Sequence, residues 1–193
     1  MKLILTRHGK TGGNANGIIQ DQLAGDLTEE GIRQARKVAE RLALEKIDYI
    51  YSSDAVRAAD TAKEIAKLHP ATPISFIPDL RERHFGEFIG MKKEELSVDA
   101  IYLNPKEGES LQQVYIRVKN FLVEVLAKHG GETVLFVGHG LTNKVLVAAI
   151  EGKDVDAVKT MDHFGNTSIS IFEIEEDRSY TIWDYNCMKH IDE

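Results

Sequence analysis

Short apolar runs alternate along this chain with stretches whose apolar positions recur every three or four residues. "KLILT" (residues 2–6) is such a run and predicts a strand. After a polar, glycine-containing loop, Ile32, Ala35, Val38, Ala39 and Leu42 fall on one helical stripe. A helix is therefore expected from a Thr28 cap to about Glu45, with Glu29 and Glu30 favoured in its first turn. "IDYIYSS" predicts a second strand, and Asp54 or Ser53 is expected to cap a helix reaching about Leu68. "PISFIPDL" holds a short strand. Residues 84–108 show no regular period apart from a short helix near Lys92–Leu96. Glu109 or Ser110 opens a long helix to about Lys128, and "ETVLFVGHG", the most apolar strand, leads into a helix at 140–150. "TSISIFEIE" and "YTIWDYN" predict a late strand pair.

Strands alternating with helices imply an α/β fold with a mainly parallel sheet covered on both faces. Ligands of such sheets bind beyond the carboxyl ends of the strands. Three unusual segments fall at those ends. Arg7-His8-Gly9 follows the first strand, Ser52 to Arg57 the second, and Gly138-His139-Gly140 the fourth. Strand order is not visible in the sequence, so topology only permits them to share one crevice.

Composition narrows the classes. The 193 residues suit one large domain, with 42% hydrophobic and 28% charged residues, as in an ordinary soluble protein. A net charge of -7 argues against broad attraction to nucleic acid or to an anionic membrane. Cys187 is the single cysteine, which excludes an internal disulfide framework and a thiolate zinc cluster. The N-terminal apolar run is too short for a signal peptide and no segment approaches a membrane span, so a cytoplasmic location is expected.

"GKT" (Gly9 to Thr11) matches the end of a phosphate-binding P-loop, but the first glycine of that motif would fall at Ile4, inside the first strand. The nest has no room to form. Arginine and histidine at strand ends offer other phosphate chemistry. Arg7 and Arg57 carry forked, permanently charged guanidinium groups suited to phosphate oxygens, although a solvated surface charge is the ordinary role of an arginine. A neutral histidine attacks without deprotonation. His8 and His139 differ from the other five histidines in being flanked by glycine directly after an apolar strand, though "GHG" also fits a tight turn. His69, His129 and His190 lie in helix-end or tail contexts, and His84 and His163 stay undecided.

"TRHGKTGGN", "YSSDAVRAADTA", "LRERHFGEFIG" and "VGHG", in that order and covering about Leu3 to Asn166, resemble the motifs of the histidine phosphatase superfamily. "LTEEGIRQA", "GESLQQVYIRV" and "NTSI" resemble its connecting segments. The resemblance implies a three-layer α/β/α, phosphoglycerate-mutase-like fold over residues 1–193, with a substrate-lid insertion at about 84–108. It implies a phosphohistidine on His8, phosphate binding by Arg7, Arg57 and Asn14, and a protonated His139 hydrogen-bonded to the phosphoryl group. It gives Glu82 the role of proton donor, and Gly140 a backbone N–H for the substrate. No metal and no other cofactor is implied.

Departures from the pattern concern the substrate. Lys10 stands where the family usually carries glutamate or glutamine, and is a candidate substrate contact for a multiply anionic ester. Gly12 and Gly13 replace larger residues and are expected to widen the pocket or loosen its rim. Ile18 replaces a common arginine, and "NGIIQD", with Gln20 as a further substrate-binding candidate, looks more like the branch that dephosphorylates sugar phosphates or nucleoside-like phosphates. The insertion is shorter than in cofactor-dependent mutases, with Lys92, Lys93 and Lys106 as its distal basic residues. A phosphatase for a small phosphorylated metabolite is thus favoured over a phosphoglycerate mutase, a phosphoprotein phosphatase or a non-catalytic phosphate-binding module. The oligomeric state stays open, with a homodimer as one candidate.

Overall fold

A computed structural model describes residues 1–96 and 102–192. Its elements in chain order are β1 (Lys2–Arg7), α1 (Gly12–Ala15), α2 (Glu29–Leu42), β2 (Tyr49–Ser52), α3 (Val56–Ala66), β3 (Ile74–Phe76), α4 (Leu111–Lys128), β4 (Thr133–Gly138), α5 (Gly140–Ile150), β5 (Ile169–Ile174), β6 (Tyr180–Cys187) and α6 (Lys189–Asp192). The predicted caps at Thr28 and Ser110 are both made. Thr28 accepts from the Gly31 amide, and Ser110 forms a reciprocal box with Gln113.

The cap expected at Asp54 or Ser53 is not made in that form. α3 starts after Ala55 with no side-chain cap. The Asp54 carboxylate is instead forked by Arg81, with Nε at 2.7 Å from Oδ1. The Ser53 hydroxyl turns to His139 Nε2 at 2.9 Å. Both side chains find partners far away in sequence, which a local pattern does not register.

The six strands form one sheet in the order β3-β2-β4-β1-β5-β6. β1 to β4 run parallel, while β5 is antiparallel to β1 and to β6. Side chains alternate between the faces of a strand, and the core divides accordingly. Leu3, Leu5, Val134 and Phe136 pack on one side with α4 and α5, while Ile4, Leu135 and Val137 pack on the other with α2 and α3. The sheet is thereby buried on both faces, as the near-continuous apolar strands require.

Strand order settles which strand ends meet. β4 lies between β2 and β1, so Ser52, Gly138 and Arg7 end three neighbouring strands. In the insertion, the short helix near Lys92–Leu96 is a 3-10 turn at Lys93–Glu95. Its flanks are tied to the 17–19 loop through Ile19 N to Met91 O and Lys93 N to Gly17 O, at 2.9 and 2.8 Å. The part of the expected lid at residues 97–101 lies outside the described residues.

Candidate active site

The three strand ends open into a cavity of about 120 Å³. Arg7, His8 and Arg57 line it, together with Glu82, Asn14, Gln20 and Gly140 from the sequence-derived candidates. Phe85, Lys93, Tyr102, Lys144 and His163 line it as well. Lys10 is not among the lining residues. Its backbone N–H donates to Gln34 Oε1 at 2.9 Å, and its carbonyl accepts from Thr28. His139 is fully buried behind the lining.

His8 is 3% exposed, and its Nδ1 stands 2.7 Å from the Gly9 carbonyl. A carbonyl only accepts, so Nδ1 carries the ring proton and Nε2 keeps its lone pair. Burial, then the charges of Arg7 and Arg57, push the His8 pKa well below 6.5. His8 is therefore a neutral ring with a free basic nitrogen. His139 lies beside it, ring centroids 5.2 Å apart and tilted 60°. Burial, followed by Arg57, His8 and Arg7, pushes His139 well below 6.5 too. The protonated His139 implied by the resemblance is thus not the form this site favours by itself. A dianion beside it would have to supply the counter-charge.

Arg7 and Arg57 are 6% and 2% exposed. The Arg7 guanidinium donates to the Phe164 carbonyl at 2.6 Å and to His163 Nε2 at 3.0 Å. Arginine has no lone pair to offer, so His163 accepts and is neutral in this contact. Its pKa is lowered to about 4, by shielding of the ring from water first, although the residue as a whole is exposed, and then by Arg7, Lys93 and Lys144. Burial lowers the Arg7 pKa to about 10, which leaves it charged at neutral pH. Arg57 donates to the carbonyls of Ala24 and Asp21. Among the described residues, Arg7 Nε, Arg57 Nε and His139 Nδ1 are buried with no hydrogen-bond partner. Unpaired buried guanidinium N–H groups cost about 1–3 kcal/mol each.

Glu82 reaches the site from the segment after β3. α5 starts at Gly140 with no side-chain cap from His139, and Glu82 supplies one from outside. Its Oε2 accepts from the Leu141 amide at 3.1 Å and its Oε1 from the Thr142 amide at 3.1 Å. These are the orphan N–H groups of a helix start, which the carboxyl oxygens satisfy.

Some members were not legible beforehand. Asn166 Nδ2 donates to the His8 carbonyl at 2.9 Å and to Asn14 Oδ1 at 3.1 Å, tying the two halves of the first motif together. Lys144 is 6% exposed and donates to the Met161 carbonyl at 2.7 Å. The only sequence signal for it was a lysine inside an otherwise apolar helix. Lys93 lines the cavity. Although the residue is exposed, neighbouring atoms shield its ammonium from water, and that loss of solvation first and then Arg7 lower its pKa, while Glu82 opposes them. Gly13 does not widen the pocket. A Cβ there would stand 2.4 Å from Gln20 Cγ, so the missing side chain makes room for Gln20. Among the described residues, no group of three or more His, Cys, Asp or Glu side chains is placed to hold a metal ion. No helix among them is long and apolar enough to cross a membrane.

Comparison with known proteins places the whole chain in a family. The family model "Histidine phosphatase superfamily (branch 1)" matches residues 3–187. "Phosphoglycerate mutase-like protein 4" of Arabidopsis thaliana is 32% identical over 205 residues, covering 100% of this chain and 87% of its own length. "Phosphoserine phosphatase 1" of Hydrogenobacter thermophilus is 35% identical over 194 residues, covering 93% of this chain and 89% of that protein. A phosphoserine phosphatase mutant from Entamoeba histolytica in complex with phosphoserine matches the fold with a TM-score of 0.86 at 27% identity, over 98% of both chains.

Proposed function

The chain belongs to the histidine phosphatase superfamily, and we propose that it is a metal-independent phosphomonoesterase that forms a phosphohistidine on His8. One observation carries this reading: a neutral His8, its Nδ1 turned to the Gly9 carbonyl, lines one cavity with the hydrogen-bond donors Arg7 and Arg57. The donors suit the equatorial oxygens of a phosphoryl group, and the lone pair suits in-line attack on phosphorus.

In the proposed cycle the Nε2 lone pair of His8 forms a bond to phosphorus as the ester P–O bond breaks. The departing electron pair stays on the alcohol oxygen, which takes a proton from Glu82. Water then attacks the phosphohistidine. Glu82 takes up the water's proton, and the P–N bond returns its electrons to His8. The sum is ester plus water to alcohol plus phosphate. Charge for the transferring group comes from Arg7 and Arg57, and His139 contributes once the dianion favours its protonated form.

The cavity also points to the alcohol half of the ester. Lys93 and Lys144 line it in addition to the two arginines, and among the described residues Glu82 is the only acidic side chain in the lining. Two further cations suit a second anionic group, and the small volume suits a small metabolite. A carboxylated phosphomonoester such as phosphoserine combines these features, and two of the relatives above bear that specificity in their names. A release screen for phosphate across phosphorylated metabolites, with His8→Ala as control, tests the reading. Full turnover of every accepted ester by His8→Ala would refute the phosphohistidine. Rapid isomerisation of 3-phosphoglycerate in the presence of 2,3-bisphosphoglycerate would make the protein a mutase instead.

A further inference from the structure

We propose that Thr142 is a positioning residue for proton transfer: its hydroxyl, set between the Arg81 carbonyl and Glu82 Oε1, anchors one carboxyl oxygen and leaves Oε2 to carry the transferred proton. This rests on the reading of Glu82 as the acid. Thr142 is fully buried in α5, so no solvent competes for its hydroxyl. Its Oγ1 is 2.8 Å from Arg81 O and 3.0 Å from Glu82 Oε1. The Arg81 carbonyl and Glu82 Oε1 both accept, so the single hydroxyl proton is shared between them. One side chain thereby holds both the backbone leading into the acid and the acid itself.

The two carboxyl oxygens are left unequal. Oε1 faces three donors: the Thr142 hydroxyl, the Thr142 amide at 3.1 Å and the Arg83 amide at 3.0 Å. Among the described residues, Oε2 accepts from the Leu141 amide alone, at 3.1 Å. An oxygen already accepting three bonds has no lone pair left to hold a proton, whereas Oε2 has. The amide bonds survive any side-chain substitution. The hydroxyl is the one contact to the acid that a point change at this position removes.

The test uses leaving groups. The value of kcat/KM covers steps through P–O cleavage, and an alkoxide leaving group needs the acid's proton far more than p-nitrophenolate does. In Thr142→Val, the ratio of kcat/KM for an alkyl phosphate such as O-phosphoserine to that for p-nitrophenyl phosphate is expected to fall about tenfold or more. Thr142→Ser, which keeps the hydroxyl, is expected to restore the ratio to within about threefold of wild type. Equal losses on both esters, or no rescue by serine, would overturn the assignment. Thr142→Ala carries the same comparison if the valine variant does not fold. Glu82→Gln separates the two levels. If it leaves the ratio unchanged, the reading of Glu82 as the acid fails. If it lowers the ratio and Thr142→Val does not, only the role of Thr142 fails.

Discussion

Gly9, the residue after His8, and Gly31 in the first turn of α2 meet backbone to backbone. A Cβ on Gly9 would lie 2.4 Å from the Gly31 carbonyl oxygen. A Cβ on Gly31 would lie 2.0 Å from the Lys10 carbonyl oxygen. Both distances are to backbone atoms, which cannot rotate aside. The loop that carries His8 is therefore seated on α2 by the absence of two side chains, and the Gly9 amide is fixed by Thr61 Oγ1 at 3.0 Å.

Gly31→Ala should consequently cost stability by overpacking, about 1–3 kcal/mol. Helix propensity alone would predict a gain of about 1 kcal/mol for glycine to alanine, so the sign separates the two effects. Urea unfolding at constant m-value measures it. A midpoint equal to or above wild type would contradict the close approach.

Stability should fall as the pH drops below about 6.5. In the unfolded chain His8 and His139 take up protons near 6.5, whereas in the fold burial and the arginines keep both neutral to well below that value. The unfolded state then binds more protons in that window. The contribution is complete above pH 6.5 and is lost as the pH falls toward the folded values. Each ring contributes a slope of up to about 1.4 kcal/mol per pH unit. Denaturation midpoints between pH 7.5 and 5 report it as buffer values, roughly spanning the histidine range. His139→Asn should flatten the slope, and an unchanged slope would remove burial of that ring as its source.

Inorganic phosphate should raise the melting temperature of the wild-type protein, because an anion that binds only the folded state adds about 2.7 kcal/mol at a hundred times its Kd. Arg57→Lys removes the planar fork while keeping the charge. It should abolish most of that shift and lower kcat/KM by about 100-fold. An equal phosphate shift in the lysine variant would show that the fork is not what holds the anion.

Lys93→Ala should discriminate among esters. Against O-phosphoserine, kcat/KM should fall about tenfold more than against ethyl phosphate, which lacks the second anion; tenfold corresponds to about 1.4 kcal/mol. Parallel losses on both esters would place the Lys93 charge on the phosphoryl group. The second anion would then be left to Lys144.

Much of this molecule was legible from local pattern. Apolar periodicity depends only on residues within a few positions of one another, and it located the strands, the long helices, their Thr28 and Ser110 caps, and the motifs at the strand ends. The resemblance carried by those motifs identified Arg7, His8, Arg57 and Glu82, which the cavity brings together. Partners distant in sequence were a different matter. Asp54 went to Arg81 instead of capping α3, and Gly13 made room for Gln20 instead of widening the pocket.

Sequence by itself determined the element types and the residues capable of phosphate chemistry, because period, glycine and charge are written in neighbouring letters. Tertiary structure alone decided that β4 lies between β2 and β1, so that three strand ends share one cavity. It also decided that His8 presents Nε2, that His163 accepts from Arg7, and that Lys93, Lys144 and Asn166 join the site. The physical reason is that strand order, tautomers and charge balance depend on hydrogen-bond partners and burial supplied from across the fold. No local period encodes those.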